Sequence, residues 1–515
     1  MPTDALPHLR KPLEARSIDV AVIGGGPSGA VVAKLLASWG HTVRILTRAV
    51  EPSRALANSL PPSTRKLLAQ VGVLDLADRV GYRTLGNTVW WGAREGQVQP
   101  FASDGSAWGH QIDRGRFDPL LLDAAEAAGA HVERDARVHQ VDWAGDEGVV
   151  SFEAGGERRE CRARFVVDCS GRSGVLAVPL GLRTYVPGGR MQALVGVWSR
   201  PDGWFLQNPT HTFIETCNDG WAWSIPTTCA ERHVGIMVDG ATSRLTRRQV
   251  LADTYQAQLA LTERIDRQVR GAMLDRAFAC DATVYSATRH AGDGFLLVGD
   301  AGSTLNPLSS FGIKKALASA WLGAVTVHTC LVAPERAELA QTFFSQWSAQ
   351  TWQVNLKRSR DFALEALAAH RSEFWQAQAG LPVNEAQLPL DESALLAADD
   401  VRAALTRLRA SDTIVFSPGA AATRVSAPIV RGDEIVAEEA VALGPRAADI
   451  VRYVRGIDLV ALSGLAPLCP DVPLMYEHYR ARYGDVLLPD FLGALSLLVA
   501  REVLVARTSA ATITD

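Results

Sequence analysis

The chain has 515 residues, 47% of them hydrophobic, and a net charge of −4. These values exclude a disordered chain and leave no basic excess to suggest nucleic acid as a partner. The length is too great for a single core, so two or three domains are expected.

The opening stretch MPTDALPHLRKPLEARS holds no apolar run of the signal-peptide kind. No run of about 18 uncharged apolar residues stands out further on, so no membrane span is expected. Seven scattered cysteines without a CxxC pair read as reduced core residues, with no disulfide frame and no metal site. A cytoplasmic protein is the expectation.

IDVAVI, from Ile18 to Ile23, predicts a buried strand. Gly24, Gly26 and Gly29 follow as G-x-G-x-x-G, then AVVAKLLASWG predicts a helix that ends at Gly40. VRILT, ending at Thr47, predicts the next strand. A glycine turn between strand and helix lets backbone N–H groups approach a diphosphate, with the helix N-terminus adding positive charge. The acid expected about 20 residues later, for a ribose, is missing. That strand runs into Arg48, and the nearest acid is Glu51.

Further along, RFVVDCSGRSG predicts a strand entering Asp168 and Gly171. GFLLVGDAGSTLNPLSSFGIKKALASAWLGAV predicts a strand, the pair Gly299-Asp300, a loop, and a long apolar helix from about Gly312. With the glycine turn, these segments resemble the flavoprotein monooxygenases of the p-hydroxybenzoate hydroxylase fold, over about residues 17–360. The resemblance implies an α/β fold: an FAD-binding Rossmann-like domain with an inserted β-sheet substrate domain, together over residues 1–380. The substrate sheet is expected roughly at 80–110 and 180–285. The cofactor it implies is FAD, with Asp300 on the ribityl chain. The helix start at Gly312–Ile313 would face the flavin ring, where reduction places negative charge. It also implies Arg114 as an FAD contact, opening the helix in DRGRFDPLLLDAAEAAG, and Val138 as a backbone contact to the adenine. Gly24, Gly26, Gly29, Asp168 and Gly299 complete the cofactor set.

WAWSIP, from Trp221 to Pro226, resembles a signature of flavin-dependent halogenases. Trp221, Trp223 and Ile225 alternate along one strand face. Such a face either packs on a core or walls the flavin from the substrate, and Pro226 closes the strand. In the halogenases a lysine holds the halogenating species near the substrate. The matching stretch, Ser59 to Gly92, has Lys66 on a polar helix face and then no lysine before Lys314. Arg83 stands nearest the expected place, and a guanidinium that stays protonated is a poor substitute. The halogenase run P-L-E-S-T-G is here Pro307-Leu308-Ser309-Ser310-Phe311-Gly312, with Ser309 for the acid. No catalytic side chain is assigned; Trp221, Trp223 and Pro307 are taken as the flavin-side wall.

These departures imply oxygen insertion into an electron-rich ring. SLPPSTRKLL, GNTVWWG and PLSSFGIKKALASAW also resemble flavoproteins that mature tryptophylquinone cofactors by hydroxylating a tryptophan of a partner polypeptide. The implied partners are O2, reduced flavin from NAD(P)H or a separate reductase, and a tryptophan-bearing peptide or protein. A halogenase, a flavin-binding maturation chaperone and an isoprenoid saturase are the competing readings.

Residues 381–411 read as a linker. From residue 412 to 515 the pattern predicts a hairpin around Arg431-Gly432-Asp433, then helices at RAADIVRYVRG, DLVALSGLA, PLMYEHYRARYG and LPDFLGALSLLVAREVLV. This is a small α+β, winged-helix-like domain. From Val415 on it carries nine arginines, no lysine and twelve acids. That balance opposes DNA binding and suits a peptide-binding or covering role.

Overall fold

The computed structural model describes residues 17–48, 55–93, 95–240, 248–410, 414–419 and 424–508. Two compact units emerge, Met1–Val383 and Asn384–Asp515.

In the first unit, Ile18–Ile23 is a central strand, with Val20, Ala21 and Val22 wholly buried. It pairs in parallel with Val43–Thr47 and with Glu157–Asp168. The parallel sheet extends to His131–Arg134 at one side and Phe295–Leu297 at the other. Parallel strands need helical cover. The helix Pro27–Ser38 supplies part of it, packed against Arg114–Ala127 and Gly312–Val332. By length and composition Gly312–Val332 could cross a membrane, contrary to the expectation from sequence, but most of it is buried inside this unit.

The second sheet has seven strands, in the order Met273–Asp281, Met191–Ser199, Glu231–Asp239, Gly220–Pro226, Thr212–Cys217, Gly86–Trp90 and Gln97–Pro100. All its pairs are antiparallel except Thr212–Cys217 with Gly86–Trp90. Period-two alternation sends its apolar residues into two cores. One gathers Val195, Val197, Trp221 and Met237; the other gathers Leu194, Ala222, Val234 and Ile236 with Tyr255. A smaller sheet joins Ala57–Leu60, Gly109–Asp113 and Tyr82–Thr84. The long helix Ala337–Leu367 and the short Glu373–Ala379 complete the unit.

The second unit is α+β. The hairpin forms between Arg424–Arg431 and Glu434–Ala442, turning at Gly432. Helices Leu459–Leu465, Val472–Tyr483 and Leu488–Ala500 share a core with Phe416, Val454 and Leu504. Two expectations are corrected. The segment read as a linker contains helices Glu392–Leu396 and Asp399–Arg409, and Val401, Ala404 and Leu408 bury their side chains. RAADIVRYVRG is not an α-helix: after a single 3₁₀ turn at Ala447–Asp449, β-branched Ile450, Val451 and Val454 take short strands, and a turn with Arg455 and Gly456 at positive φ pairs Tyr453–Val454 with Ile457–Asp458. One cysteine, Cys229, is exposed rather than in a core.

Candidate active site

A cavity of about 280 Å³ lies in the first unit, between the glycine turn and the seven-stranded sheet. Segments distant in the sequence converge on it. Gly26, Pro27 and Ser28 come from the glycine turn, and Arg114 from the start of its helix. Gly171 and Arg172 follow the strand Glu157–Asp168, while Asp300 and the loop from Thr304 to Ile313 enter from the next crossover. Trp221, Trp223, Ile225, Thr212 and Ile214 present the sheet, with Leu56 to Ser59 beside them.

The glycines divide into two kinds. A Cβ on Gly29 would come 1.9 Å from the Gly24 carbonyl oxygen, and Gly24 itself has φ +102° with Cys169 oxygen 2.4 Å from a Cβ. Those two are required by the protein's own packing. A Cβ on Gly26 would meet only Arg114 Nη2, at 3.6 Å, and one on Gly312 would meet nothing within 4 Å. Both of the latter face the cavity, so the space a side chain would fill is space a ligand backbone can approach. Gly26 and Phe311 are also the N-caps of the two helices that meet there, and neither helix is capped by a side chain. Uncapped N–H groups and helix dipoles on two sides suit a ligand with a diphosphate and a ring that gains negative charge.

Arg114 starts its helix because Asp113 caps it, accepting from Gly115 N–H at 2.9 Å. Its Nε donates to Asp118 at 2.7 and 2.9 Å, one helical turn on. Asp300 sits in a single 3₁₀ turn, with its backbone carbonyl accepting from Tyr285 Oη at 2.8 Å. Arg172 donates to Asp281 at 3.1 Å and to the Thr283 carbonyl at 3.0 Å. Ser310, at φ +51°, turns the loop just before the helix. Trp221 and Trp223 lie 5.2 Å apart between ring centroids. Trp221 is 3% exposed and joins the core, so packing and wall coexist in that pair.

Not every expected residue reaches the cavity. Asp168 is wholly buried, and its two oxygens accept from Ser170 N–H (2.9 Å) and Leu176 N–H (2.8 Å). It shapes the turn that carries Gly171 and Arg172, and burial pushes its carboxyl up. Val138 is half-buried on Arg137–Ala144, packed against the core beneath, away from the cavity wall. Gly299 touches Ser28 and not the cavity: at φ +66°, its Cβ would lie 2.7 Å from Ser28 Oγ. Glu51 lies outside the described residues, and Arg48 donates to Ser173 at 3.1 Å. Sequence reasoning missed Arg172, Cys280, Asp281 and Asn306. Arg172 follows Asp168 by four residues in one segment, a signal that could have been used.

A family model described as an FAD binding domain matches residues 17–324. The chain belongs to that FAD-binding family. This flavoprotein is a flavin-dependent oxidoreductase with FAD as cofactor, and the cavity's glycine turn and helix ends fit that group. Among curated proteins it is similar to a tryptophan 2-halogenase of Chondromyces crocatus, 25% identical over 373 residues, covering 69% of this chain and 71% of that protein. It is also similar to a 1H-pyrrole-2-carbonyl peptidyl-carrier-protein chlorinase of Pseudomonas fluorescens, 26% identical, covering 59% and 74%. Two solved structures share the fold. The flavin-dependent halogenase CmlS has a TM-score of 0.76 at 22% identity, over 96% of each chain. The peptidyl tryptophan dihydroxylase QhpG, described as essential for tryptophylquinone cofactor biogenesis, has a TM-score of 0.66 at 21% identity, over 94% of this chain and 99% of that one.

Behind Asp300 lies a buried histidine, His290, whose Nε2 has no hydrogen-bond partner among the described residues. Burial, with Lys315 alongside, pushes its imidazole down to about 4. The unfolded chain would take up that proton near the ordinary 6.5, the folded chain only near 4. His290 therefore costs nothing above pH 6.5, and stability should fall as pH drops toward 4, by about 3 kcal/mol from this group. Melting midpoints across that window should fall less steeply in His290→Leu than in the unaltered protein. Parallel slopes would count against it.

Proposed function

We propose that this flavoprotein is an FAD-dependent monooxygenase that hydroxylates an aromatic ring, and that the ring is a tryptophan side chain of a peptide or protein partner in quinone-cofactor biogenesis. The observation that carries this reading is the cavity wall: among the described residues that line it there is no lysine. Lys66 is exposed on its helix. Arg83, nearest to where a halogenase lysine is expected, lies over the Trp108 ring at 4.0 Å, with Arg65 on the same ring at 3.8 Å. Its charge is committed to that stack and not to the cavity. In sequence, Ser309 stands where the halogenase acid is expected.

Reduced FAD supplies the reaction with O2; the chain supplies placement and exclusion of water. Gly26 and the two uncapped helix ends would receive the cofactor's anionic parts. Trp221, Trp223 and Ile225 would form the apolar side against which a planar ring is held. Indole and phenol rings are already nucleophilic, so the wall need not carry a general base. The likeness to QhpG supports the peptidyl-tryptophan substrate. The halogenase names among the relatives favour the second reading, halogenation of a similar ring.

Mass spectrometry of a tryptophan-bearing partner polypeptide, co-expressed with and without this protein, separates the two. The expected product gains one or two oxygen atoms on the tryptophan peptide. A chlorine or bromine isotope pattern would establish halogenation instead, and an unmodified partner that still matures would point to a chaperone. Chloride or bromide should leave turnover unchanged. Ser309→Glu alone should give no halogenated product, because the lysine is still missing; halogenated product from that variant would overturn the argument from the cavity wall.

A further inference from the structure

We propose that Lys315 is a positioning residue for the FAD site, holding the Asp300 carboxylate in place from behind the cavity wall. The proposal rests on the reading of Asp300 as a cofactor contact.

Gly312, Ile313 and Ala316 face the cavity from the first turns of their helix, whereas Lys315 does not. It turns to the inner side and is 6% exposed. Its ammonium donates to Asp300 Oδ1 at 3.1 Å, to the Ser303 carbonyl, and to Ser303 Oγ at 3.5 Å. The Asp300 side chain is 45% exposed and reaches the cavity. One end of this ion pair is therefore fixed in the interior while the other meets the ligand.

The geometry explains why a cation is needed there. A lone 3₁₀ turn leaves an aspartate side chain free to rotate, and nothing on that turn itself holds the carboxylate. A buried ammonium without its partner is strongly disfavoured, so Lys315 in turn draws Asp300 into one orientation. On its inner side the ammonium shares a small pocket with His290, Ser319, Trp347, Ser348 and Thr351, none of them an anion, and the Arg172 charge also acts on it. Lys315 is thus the buried ion-pair partner of Asp300, while Arg114 acts on the same carboxylate from the cavity side, close to a cofactor bearing a diphosphate. Without Lys315, the Asp300 carboxylate would lose its ion-pair partner, and its less balanced charge would repel the diphosphate, and the reduced ring more than the oxidised one.

A double-mutant cycle on the full chain tests this, reading FAD affinity and the FAD reduction potential, with melting of the FAD-free protein as the check on folding. Lys315→Met should weaken FAD binding about tenfold and lower the potential. Asp300→Asn alone should also weaken binding. In the Asp300→Asn background, Lys315→Met should change affinity by less than about twofold, since the lysine acts through that carboxylate. Equal losses in both backgrounds, or no loss from Lys315→Met in the unaltered protein, would overturn the proposal while leaving the Asp300 contact intact. Undiminished FAD affinity in Asp300→Asn alone would overturn the Asp300 reading itself. If Lys315→Met does not fold, Lys315→Gln, which keeps a donor for Ser303 but no charge, runs the same cycle, with the same losses expected and the same results overturning the proposal.

Discussion

Gly26→Asp should give a folded protein that no longer retains FAD. Gly26 is an N-cap in extended backbone, φ −72° and ψ −177°, which any residue adopts. A side chain there has room. Aspartate is also among the best N-caps, so the FAD-free protein should melt at least as high as the unaltered one. The same carboxylate would stand where the diphosphate approaches. Two like charges about 4 Å apart cost roughly 1 to 4 kcal/mol between the dielectric of water and that of a protein surface. The cofactor carries two such charges, so affinity should fall at least about 30-fold. Visible absorbance and melting of the purified variant check both halves. Recovery of Gly26→Asp with stoichiometric FAD would remove the diphosphate from this turn.

Gly235→Ala should leave FAD bound and cut turnover of the aromatic substrate about 100-fold, the scale set by a misplacement near 1 Å. Gly235 lies directly across from Trp223 in the sheet, and the indole rests on it. A Cβ there would sit 2.1 Å from Trp223 Cζ2 and 2.4 Å from Cε2. The ring has to move, and the cavity is the open side. Trp221→Ala makes the contrast, because that ring is part of the core. It should cost about 3 to 5 kcal/mol of stability, with a lower melting midpoint. Unchanged kcat/KM in Gly235→Ala at equal FAD occupancy would reduce Trp223 to a packing residue.

What the sequence disclosed was local. A glycine turn between a strand and a helix is legible because strand, turn and helix are neighbours in the chain, and Gly24 and Gly29 answer to contacts within that segment or the adjoining strand. The GD loop before the helix at Gly312 is legible for the same reason. Asp168 was misjudged because its partners, the N–H groups of Ser170 and Leu176, become partners only when the turn closes. The helix Asp399–Arg409 was lost behind the prolines that precede it, although Val401, Ala404 and Leu408 keep helical spacing. Lys315 carried a usable signal. It shares a helix face with Ser319 and Leu322, and all three are buried, so a charge on that face calls for a partner.

The order of strands in the parallel sheet also governs how this protein can be made. Ile18–Ile23 waits for Glu157–Asp168, which in turn waits for Phe295–Leu297. Between them the chain must lay down the seven-stranded sheet, whose strand Gly86–Trp90 finds its parallel partner only at Thr212–Cys217. Ile18–Ile23 gains Val43–Thr47 early, but its other edge stays open until the later strands are made. Nascent chains ending before Leu297 should expose apolar strand edges and depend on chaperones, and the cofactor turn, although synthesised first, should become competent to take FAD among the last.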